Sequence, residues 1–280
     1  MIKNVSQVPC LGVSSTEICR GTGCYFHRDH LEQRMSLTDA FVHIFDRLMN
    51  NRAGPGQAYI PTDVEHLANM VTHGLWILPS FGGLLWLLYW SVNDHQFLSA
   101  CVFGLALFAL FTTSTIYHAL SYSGKLKTLK NVFHIGDRAA IYIFIAASYT
   151  PWLLLKDMEN WGVQVRWLIW MLAMMGISYQ YMFHEKYKWL ETLLYVIIGV
   201  GPSITVLAMK ETSGLYELTL GGITYATGVV FFKCDGIIPF AHAIWHCFVF
   251  VGATFHFYAI STYLMGHDVH KQMPIVTDTF

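Results

Sequence analysis

The sequence predicts an all-α membrane protein built as a bundle of seven transmembrane helices. Of the 280 residues, 54% are hydrophobic and only 12% are charged, whereas a soluble domain carries about 25% charged residues. The chain also contains seven long apolar runs without the period-two alternation of barrel strands, so each run predicts a helix. The net charge of −1 gives no indication of a nucleic-acid partner.

Each apolar run is long enough to cross a bilayer, because a hydrocarbon core of ~30 Å requires about 20 residues of helix. The weakest is the sixth, "GLYELTLGGITYATG", which is rich in glycine and contains Glu217. Small residues at this position favour close packing inside the bundle. The seven predicted spans cover approximately residues 69–91, 96–118, 136–155, 165–183, 190–209, 216–232 and 239–263.

The residues that precede the first span divide into two parts. The first part is mixed and polar, lacks the apolar core of a cleavable signal peptide, and is expected to be disordered. The second contains "SLTDAFVHIFDRLMNN", whose apolar residues recur at helical spacing. It predicts a short amphipathic helix that either lies on the membrane surface or packs as an ordinary helix. The expected organisation is therefore an extension (1–35), a juxtamembrane helix and linker (36–65), a membrane domain (66–264) and a C-terminal tail (265–280).

The distribution of positive charge predicts the orientation of the bundle. With seven spans, 13 of the 17 Lys and Arg residues fall on the side of the N-terminus, and the other 4 fall on the opposite side. By the positive-inside rule, the N-terminus is then cytosolic and the C-terminus is extracellular or lumenal. This orientation is the reverse of that of G-protein-coupled receptors.

Polar residues recur near the ends of four predicted spans. "EHLANMVTH" opens the first span, "STIYH" ends the second, "HIGDR" opens the third and "HAIWH" opens the seventh. Odd-numbered helices begin at the cytosol and even-numbered helices end there, so all four motifs lie in the cytosolic half of the bilayer. Ionisable groups inside a membrane are costly and face the protein interior, which predicts a functional site at this depth.

The histidines in these motifs favour a zinc site. His242 and His246 lie one helical turn apart and point to the same side, and His118 ends another helix at the same depth. Three imidazoles with an open fourth position are typical of catalytic zinc, and the ion would satisfy their lone pairs in an apolar bundle. We therefore expect His118, His242 and His246 to bind Zn²⁺. Asp137 would hold a water molecule or act as a general base, and Ser114 would orient or polarise the group bound at the metal.

Structural alternatives remain open for several of these residues. His242 and His246 could be unrelated interior histidines that hydrogen-bond to neighbours. Asp137 could form a boundary ion pair with the adjacent Arg138, and the hydroxyl of Ser114 could bond the carbonyl of residue 110. In the first span, the Glu65, Asn69 and His73 series is better explained as a network that clamps helices together than as metal ligands.

In order along the chain, these motifs resemble the progestin and adipoQ receptor family, within the hemolysin III superfamily. The resemblance rests on E-x3-N-x3-H at the first span, S-x3-H, the aspartate of the third span and H-x3-H in the seventh. "ASYTPWLLL", "FHEKYK" and "FFKCDGIIPFAHAIWH" are similar to its monocyte-to-macrophage differentiation factor branch. The similarity covers about residues 36–265. It implies a seven-helix domain whose zinc ligands are His118, His242 and His246, with the family's aspartate and serine at Asp137 and Ser114.

The resemblance implies two functions from different classes. The first is a receptor-like signalling regulator of endomembranes, in Golgi or endosomal membranes or alternatively in the plasma membrane. Its partners would be membrane lipids, among them a lipid ligand, together with other signalling proteins. The second is a zinc-dependent hydrolase of lipid amides, similar to ceramidases, that uses a water molecule on the metal. A channel or transporter is less well supported, because the sequence contains no evident inverted repeat.

Overall fold

The computed structural model describes residue 45 and residues 48–54, 56–157, 162–206, 209 and 211–266. Within these ranges, every regular element from residue 63 onward is a helix. The expected extension 1–35, most of the expected juxtamembrane helix and nearly all of the tail lie outside the described residues. The helices are α1 (Asp63–Gly74), α2 (Ile77–Tyr89), α3 (Asp94–Ser123), α4 (Lys127–Leu155), α5 (Gly162–Phe183), α6 (Lys188–Val200), α7 (Ser203–Val206), α8 (Leu215–Phe232) and α9 (Ala241–Tyr263).

Five stretches of helix are long and apolar enough to cross a membrane, namely α1 with α2, α3, α4, α8 and α9. The protein is therefore a multi-pass membrane protein. The predicted fourth span corresponds to α5, which carries Arg166 near its start. The predicted fifth span, 190–209, is not one continuous helix. α6 ends after 13 residues, and the short α7 follows Pro202, whose ring and missing amide proton disfavour continuation of a helix.

The centre of the bundle is formed around α4, the most buried of the five membrane-spanning stretches. It packs between α3 and α5, while α9 packs against both α8 and α1. Trp152 and Tyr142 of α4 are fully buried. The ring of Tyr142 occupies the space beside Gly176 of α5, where an added Cβ would lie 2.3 Å from a ring carbon. α4 and α5 therefore approach closely at this point because one of them carries glycine.

The end of α3 and the starts of α4 and α9 meet at one end of the bundle. α3 is capped after Ser123 by Gly124, whose φ of +63° is the left-handed conformation that glycine adopts at helix ends, and α4 begins three residues after Gly124. α9 begins after the turn that follows α8. Polar residues from four separate parts of the sequence are thereby carried to one end of an otherwise apolar bundle.

Candidate metal centre

The structure brings together the three histidines that the sequence predicts as metal ligands. His118 lies near the C-terminal end of α3, and His242 and His246 occupy the first turns of α9. All three are buried, and one ring nitrogen from each lies within 4.8 Å of the others. Their ring centroids are 4.7 to 5.3 Å apart. The spacing of four residues in α9 places two imidazoles on the face that α3 approaches.

The hydrogen bonding of these imidazoles fits a metal ion. Both ring nitrogens of His118 and Nδ1 of His242 are buried without a hydrogen-bond partner among the described residues. A buried polar atom that lacks a partner costs about 1–3 kcal/mol, so a site with several such atoms calls for a further ligand. Zn²⁺ accepts imidazole lone pairs at ~2.0–2.1 Å and commonly takes three histidines with a fourth, open position. The residues present therefore fit a zinc ion.

Thr72 of α1 orients His246. Nδ1 of His246 lies 3.0 Å from the Thr72 hydroxyl oxygen, and that hydroxyl also lies 2.8 Å from the carbonyl oxygen of Ala68. A hydroxyl has one proton, and Thr72 donates it to the carbonyl, so its oxygen accepts the Nδ1 proton of His246. This assignment leaves the lone pair of His246 on Nε2, as metal-binding histidines require.

Thr72 is not among the site residues predicted from the sequence. The signal was nonetheless present, because Thr72 lies three residues after Asn69 within the same polar motif of the first span, on the same helix face.

The other polar residues of α1 support the three histidines rather than extend the ligand set. His73 stacks on His246 with ring centroids 3.6 Å apart. The side chain of Asn69 donates a hydrogen bond of 3.2 Å to the hydroxyl of Tyr59, and the ring of Tyr59 stacks on His242 at 5.0 Å. The expected helix-clamping network is therefore present for Asn69 and His73. Glu65 is fully buried, and its carboxylate oxygens have no hydrogen-bond partner among the described residues.

Tyr59 and Asp235 are two residues of the site that sequence reasoning missed. Tyr59 precedes α1, and burial together with the nearby charge of Glu65 raises the pKa of its phenol, which keeps the hydroxyl protonated. Asp235 lies in the turn before α9, with a carboxylate oxygen 3.8 Å from Nδ1 of His242. Both lie in segments without helical periodicity, so only the folded structure brings them to the histidines.

Ser114 and Asp137 also lie at this end of the bundle. Ser114 is one turn before His118 on α3, and its buried hydroxyl has no hydrogen-bond partner among the described residues, so it does not bond the carbonyl of residue 110. The Asp137 carboxyl lies close to Ser114 and to His242. Arg138 binds two glutamates elsewhere, each at 2.5 Å, and is not the ion-pair partner of Asp137.

A second cluster, formed by His134, His184 and Glu185, also places its ligand atoms within 4.8 Å of one another. Here the atoms are already engaged. Nε2 of His184 lies 2.9 Å from Nδ1 of His134, and Glu185 accepts a hydrogen bond of 2.5 Å from Arg138 and forms an ion pair of 2.9 Å with Lys188. Two fixed positive charges beside the carboxylate disfavour a bound cation.

The second cluster is therefore an ion-pair network that ties α4 to the connection between α5 and α6. Burial alone would raise the pKa of Glu185. The hydrogen bond from His134 and the charges of Arg138 and Lys188 lower it instead, to about 2. The motif "FHEKYK" contributes His184 and Glu185, but its sequence alone does not predict this network.

Comparison with known proteins places this site within a matched region. The family described as "Haemolysin-III related" matches residues 63–257, which contain every site residue named above except Tyr59. The chain is 45% identical over 225 residues to monocyte to macrophage differentiation factor of Homo sapiens and of Mus musculus, covering 80% of this chain and 94% of each relative. It is also 33% identical to the hemolysin-3 homolog of Bacillus subtilis (strain 168), covering 71% of this chain and 94% of that protein.

Proposed function

This chain belongs to the Haemolysin-III related family, within its progestin and adipoQ receptor branch, and we propose that it is a zinc-binding, receptor-like signalling regulator of endomembranes. The observation that carries the proposal is the convergence of three buried imidazoles whose ring nitrogens lie within 4.8 Å of one another. His118, His242 and His246 would hold the ion, with Thr72 fixing the tautomer of His246.

We propose that the bundle crosses the membrane seven times, with the N-terminus in the cytosol. In addition to the five stretches that are long and apolar enough to span, α5 corresponds to a fourth span and α6 with α7 to an interrupted fifth. The excess of Lys and Arg on the N-terminal side supports this orientation. The metal centre would then lie in the cytosolic half of the bilayer. We favour Golgi or endosomal membranes as the compartment, with the plasma membrane as the alternative.

In the receptor-like function, the ligand would be a membrane lipid and the output would pass to other signalling proteins. The first argument for a lipid is the depth of the site, because a group buried within the bundle is reached more directly from the bilayer than from water. The second is the apolar surface of the spans that surround it. No nucleic acid is expected as a partner, in line with the net charge of −1.

A second candidate function, hydrolysis of a lipid amide, is favoured by the position of Ser114 and Asp137. Bound zinc would supply Lewis acidity, which polarises a carbonyl oxygen and acidifies water. Asp137 would accept the proton of the attacking water and return it to the amide nitrogen as the carbon–nitrogen bond breaks. The unpartnered Ser114 hydroxyl would donate a hydrogen bond to the polarised oxygen. The products would be a fatty acid and an amine.

Two measurements on the purified protein test these proposals. Elemental analysis should find about one zinc ion per chain, and a chain without zinc would contradict both functions. Mass spectrometry after incubation with a library of lipid amides, ceramides among them, separates the two. Release of fatty acid and amine from wild-type protein supports the hydrolase, and zinc without any turnover supports the receptor-like function.

A further inference from the structure

A cleft of about 230 Å³ opens beside the metal centre, at the same end of the bundle. One wall includes Tyr59, whose ring stacks on His242, so only the thickness of one aromatic ring separates the cleft from a proposed zinc ligand. The charged side chains that line the cleft are four cations and two carboxylates. They are Arg52, Arg138, Lys188, Lys233, Glu191 and Asp235.

Two of the four cations are already neutralised by glutamates. Arg138 binds Glu185 and Glu191, and Lys188 binds Glu185 at 2.9 Å. Arg52 and Lys233, in contrast, have no carboxylate within 4 Å in the described part of the chain. The four lining cations outnumber the two lining carboxylates and Glu185 taken together, so the cleft keeps an excess of positive charge even with Asp235 in its wall.

Lys233 is held toward the cleft by neutral groups. Its ammonium donates to the hydroxyl of Thr192 at 3.0 Å and to the carbonyl of Lys188 at 3.3 Å. Burial lowers the pKa of Lys233 despite the nearby charges of Glu191 and Asp235, because removing water from an ammonium disfavours its charged form. An anion in the cleft would restore the lost solvation.

The segment that carries Arg52 is fixed against the turn that carries Lys233. Gly236 has a φ of +73°, and an added Cβ would lie 2.3 Å from Cα of Arg52. The amide of Gly236 also donates to the side-chain oxygen of Asn50 at 3.3 Å. This close backbone approach requires glycine, and it keeps the two unpaired cations on one cleft.

We propose that this cleft binds the phosphomonoester of a phosphorylated lipid headgroup, through Arg52 and Lys233. A phosphomonoester carries about −1.5 to −2 charges and three strong acceptor oxygens. Guanidinium groups recognise such oxygens in pairs, and lysine supplies a point charge. The cleft is several times larger than the ~30 Å³ that a water molecule occupies, so it has room for the phosphate group.

A lipid is the favoured source of the phosphate because of where the cleft lies. It is formed by the start of α6 and the end of α8, together with Arg52 and Tyr59 before α1. In the proposed orientation this is the cytosolic surface, which is rich in anionic lipids that attract basic side chains. The proposal does not depend on zinc or on hydrolysis, since none of the four cations is a proposed metal ligand.

Binding to the full-length protein in detergent micelles tests the proposal, with water-soluble dioctanoyl phosphatidylinositol 4-phosphate as the probe. Dioctanoyl phosphatidylcholine and inorganic phosphate are the comparisons. We expect saturable binding of the phosphoinositide, with both comparison ligands at least about 10-fold weaker. Equal binding of inorganic phosphate would overturn the lipid source, and failure of the phosphoinositide to bind would overturn the site.

Variants test the residues. Lys233→Ala and Arg52→Ala should each weaken phosphoinositide binding by about 10-fold, the usual size of a lost charge-assisted hydrogen bond, and Lys233→Arg should preserve it. Lys127→Ala is the matched control, because Lys127 is exposed at the same end of the bundle but does not line the cleft. An equal loss in Lys127→Ala would indicate general attraction to basic surface and overturn the proposal. Zinc content and the midpoint of thermal unfolding identify a misfolded variant. If Lys233→Ala misfolds, Arg52→Ala tests the proposal, because Arg52 is exposed.

Discussion

Thr72 of α1 lies 3.0 Å from Nδ1 of His246 in α9, and this contact links the first helix of the bundle to the proposed zinc ligands. The hydroxyl of Thr72 also faces the carbonyl oxygens of Ala68 and Asn69, at 2.8 and 3.2 Å. Because its proton is directed to the backbone of α1, its oxygen acts as an acceptor. A neutral side chain on one helix thereby selects the tautomer of a histidine on another.

Replacing Thr72 with valine should weaken zinc binding by about 10- to 100-fold, the usual effect of losing the outer hydrogen bond of a metal-binding histidine. Valine keeps the shape and removes the acceptor. Competition with a chromophoric chelator measures the affinity, and the absorption bands of the cobalt-substituted protein report the geometry. Thr72→Ser keeps the hydroxyl and should therefore retain the wild-type zinc affinity and the wild-type cobalt spectrum.

Thr115→Val is the control for Thr72→Val. Thr115 donates to the carbonyl of Phe111 and forms no hydrogen bond to a histidine among the described residues, so its variant should bind zinc like the wild type. Wild-type affinity and an unchanged cobalt spectrum in Thr72→Val would show that another group fixes the tautomer of His246.

Alanine at His118, His242 or His246 should remove most of the bound zinc and lower the midpoint of thermal unfolding. Two remaining ligands are too few for a stable site, and structural zinc binding in model peptides is worth roughly 10–16 kcal/mol. Elemental analysis of each purified variant measures the loss. His256→Ala is the matched control, since His256 is also buried on α9 without a hydrogen-bond partner among the described residues but lies outside the cluster. Equal zinc loss in His256→Ala would point to general unfolding instead of ligand removal.

Helical periodicity and charge distribution explain what could be predicted from the sequence. The spacing of His242 and His246 places them on one side of a helix in any context. The count of positive charges predicts that His118 lies at the same depth as these two histidines, and the structure brings its ring beside theirs. Span ends were predicted within a few residues for α5, α8 and α9, because the apolar runs there coincide with the helices.

Features that depend on non-helical segments could not be predicted in this way. Tyr59 and Asp235 reach the site through non-helical segments whose path is set by tertiary packing. The network of Arg138, Glu185 and Glu191 joins residues about 50 positions apart, and no local pattern encodes that pairing. Pro202 explains the break before α7. The predicted span 190–209 missed the break because it was based on a count of apolar residues, which does not register a single proline.

Glu185→Gln should destabilise the protein by about 3 kcal/mol, because breaking a buried ion pair leaves the partner charges uncompensated. The side chain of Glu185 is 6% exposed and pairs with Arg138 and Lys188. Denaturant or thermal unfolding in detergent measures the change. Glu211→Gln is the control, since Glu211 is 43% exposed in its pair with Lys156 and should change stability by less than about 1 kcal/mol.

The carboxylate of Glu185 also makes the stability of the protein depend on pH. The pKa of Glu185 is lowered to about 2 in the folded protein from an ordinary value of 4.5. Its contribution to stability is therefore complete above pH 4.5 and is lost as the pH falls toward 2. In Glu185→Gln this part of the acid destabilisation should disappear. A variant as stable as the wild type would mean that the network contributes nothing to the fold.

The proposed orientation predicts which parts of the chain reach the lumen. A glycosylation acceptor added at the C-terminus should be modified in cells, whereas one placed within residues 120–132 should not. The reason is that, with seven spans, 13 of the 17 Lys and Arg residues would lie on the N-terminal side, which the positive-inside rule assigns to the cytosol. Gel mobility before and after enzymatic deglycosylation measures the modification. Modification within 120–132 with none at the C-terminus would reverse the orientation and put the metal centre in the other leaflet.

Asp137→Asn and Ser114→Ala separate the two proposed functions, because neither residue is a proposed zinc ligand. Both variants should retain zinc, and any amide hydrolysis should fall by about 10²-fold or more if Asp137 transfers the proton.

Ser99→Ala is the control for Ser114, since Ser99 is also buried on α3 with an unpartnered hydroxyl in the described structure. Fatty-acid release by mass spectrometry, normalised to zinc content, is the measurement. Loss of turnover in Asp137→Asn with full zinc supports the hydrolase. The receptor-like function is favoured if wild type and variants hold zinc equally, none releases fatty acid, and Asp137→Asn leaves the signalling output unchanged. In that case the metal acts without proton transfer by Asp137.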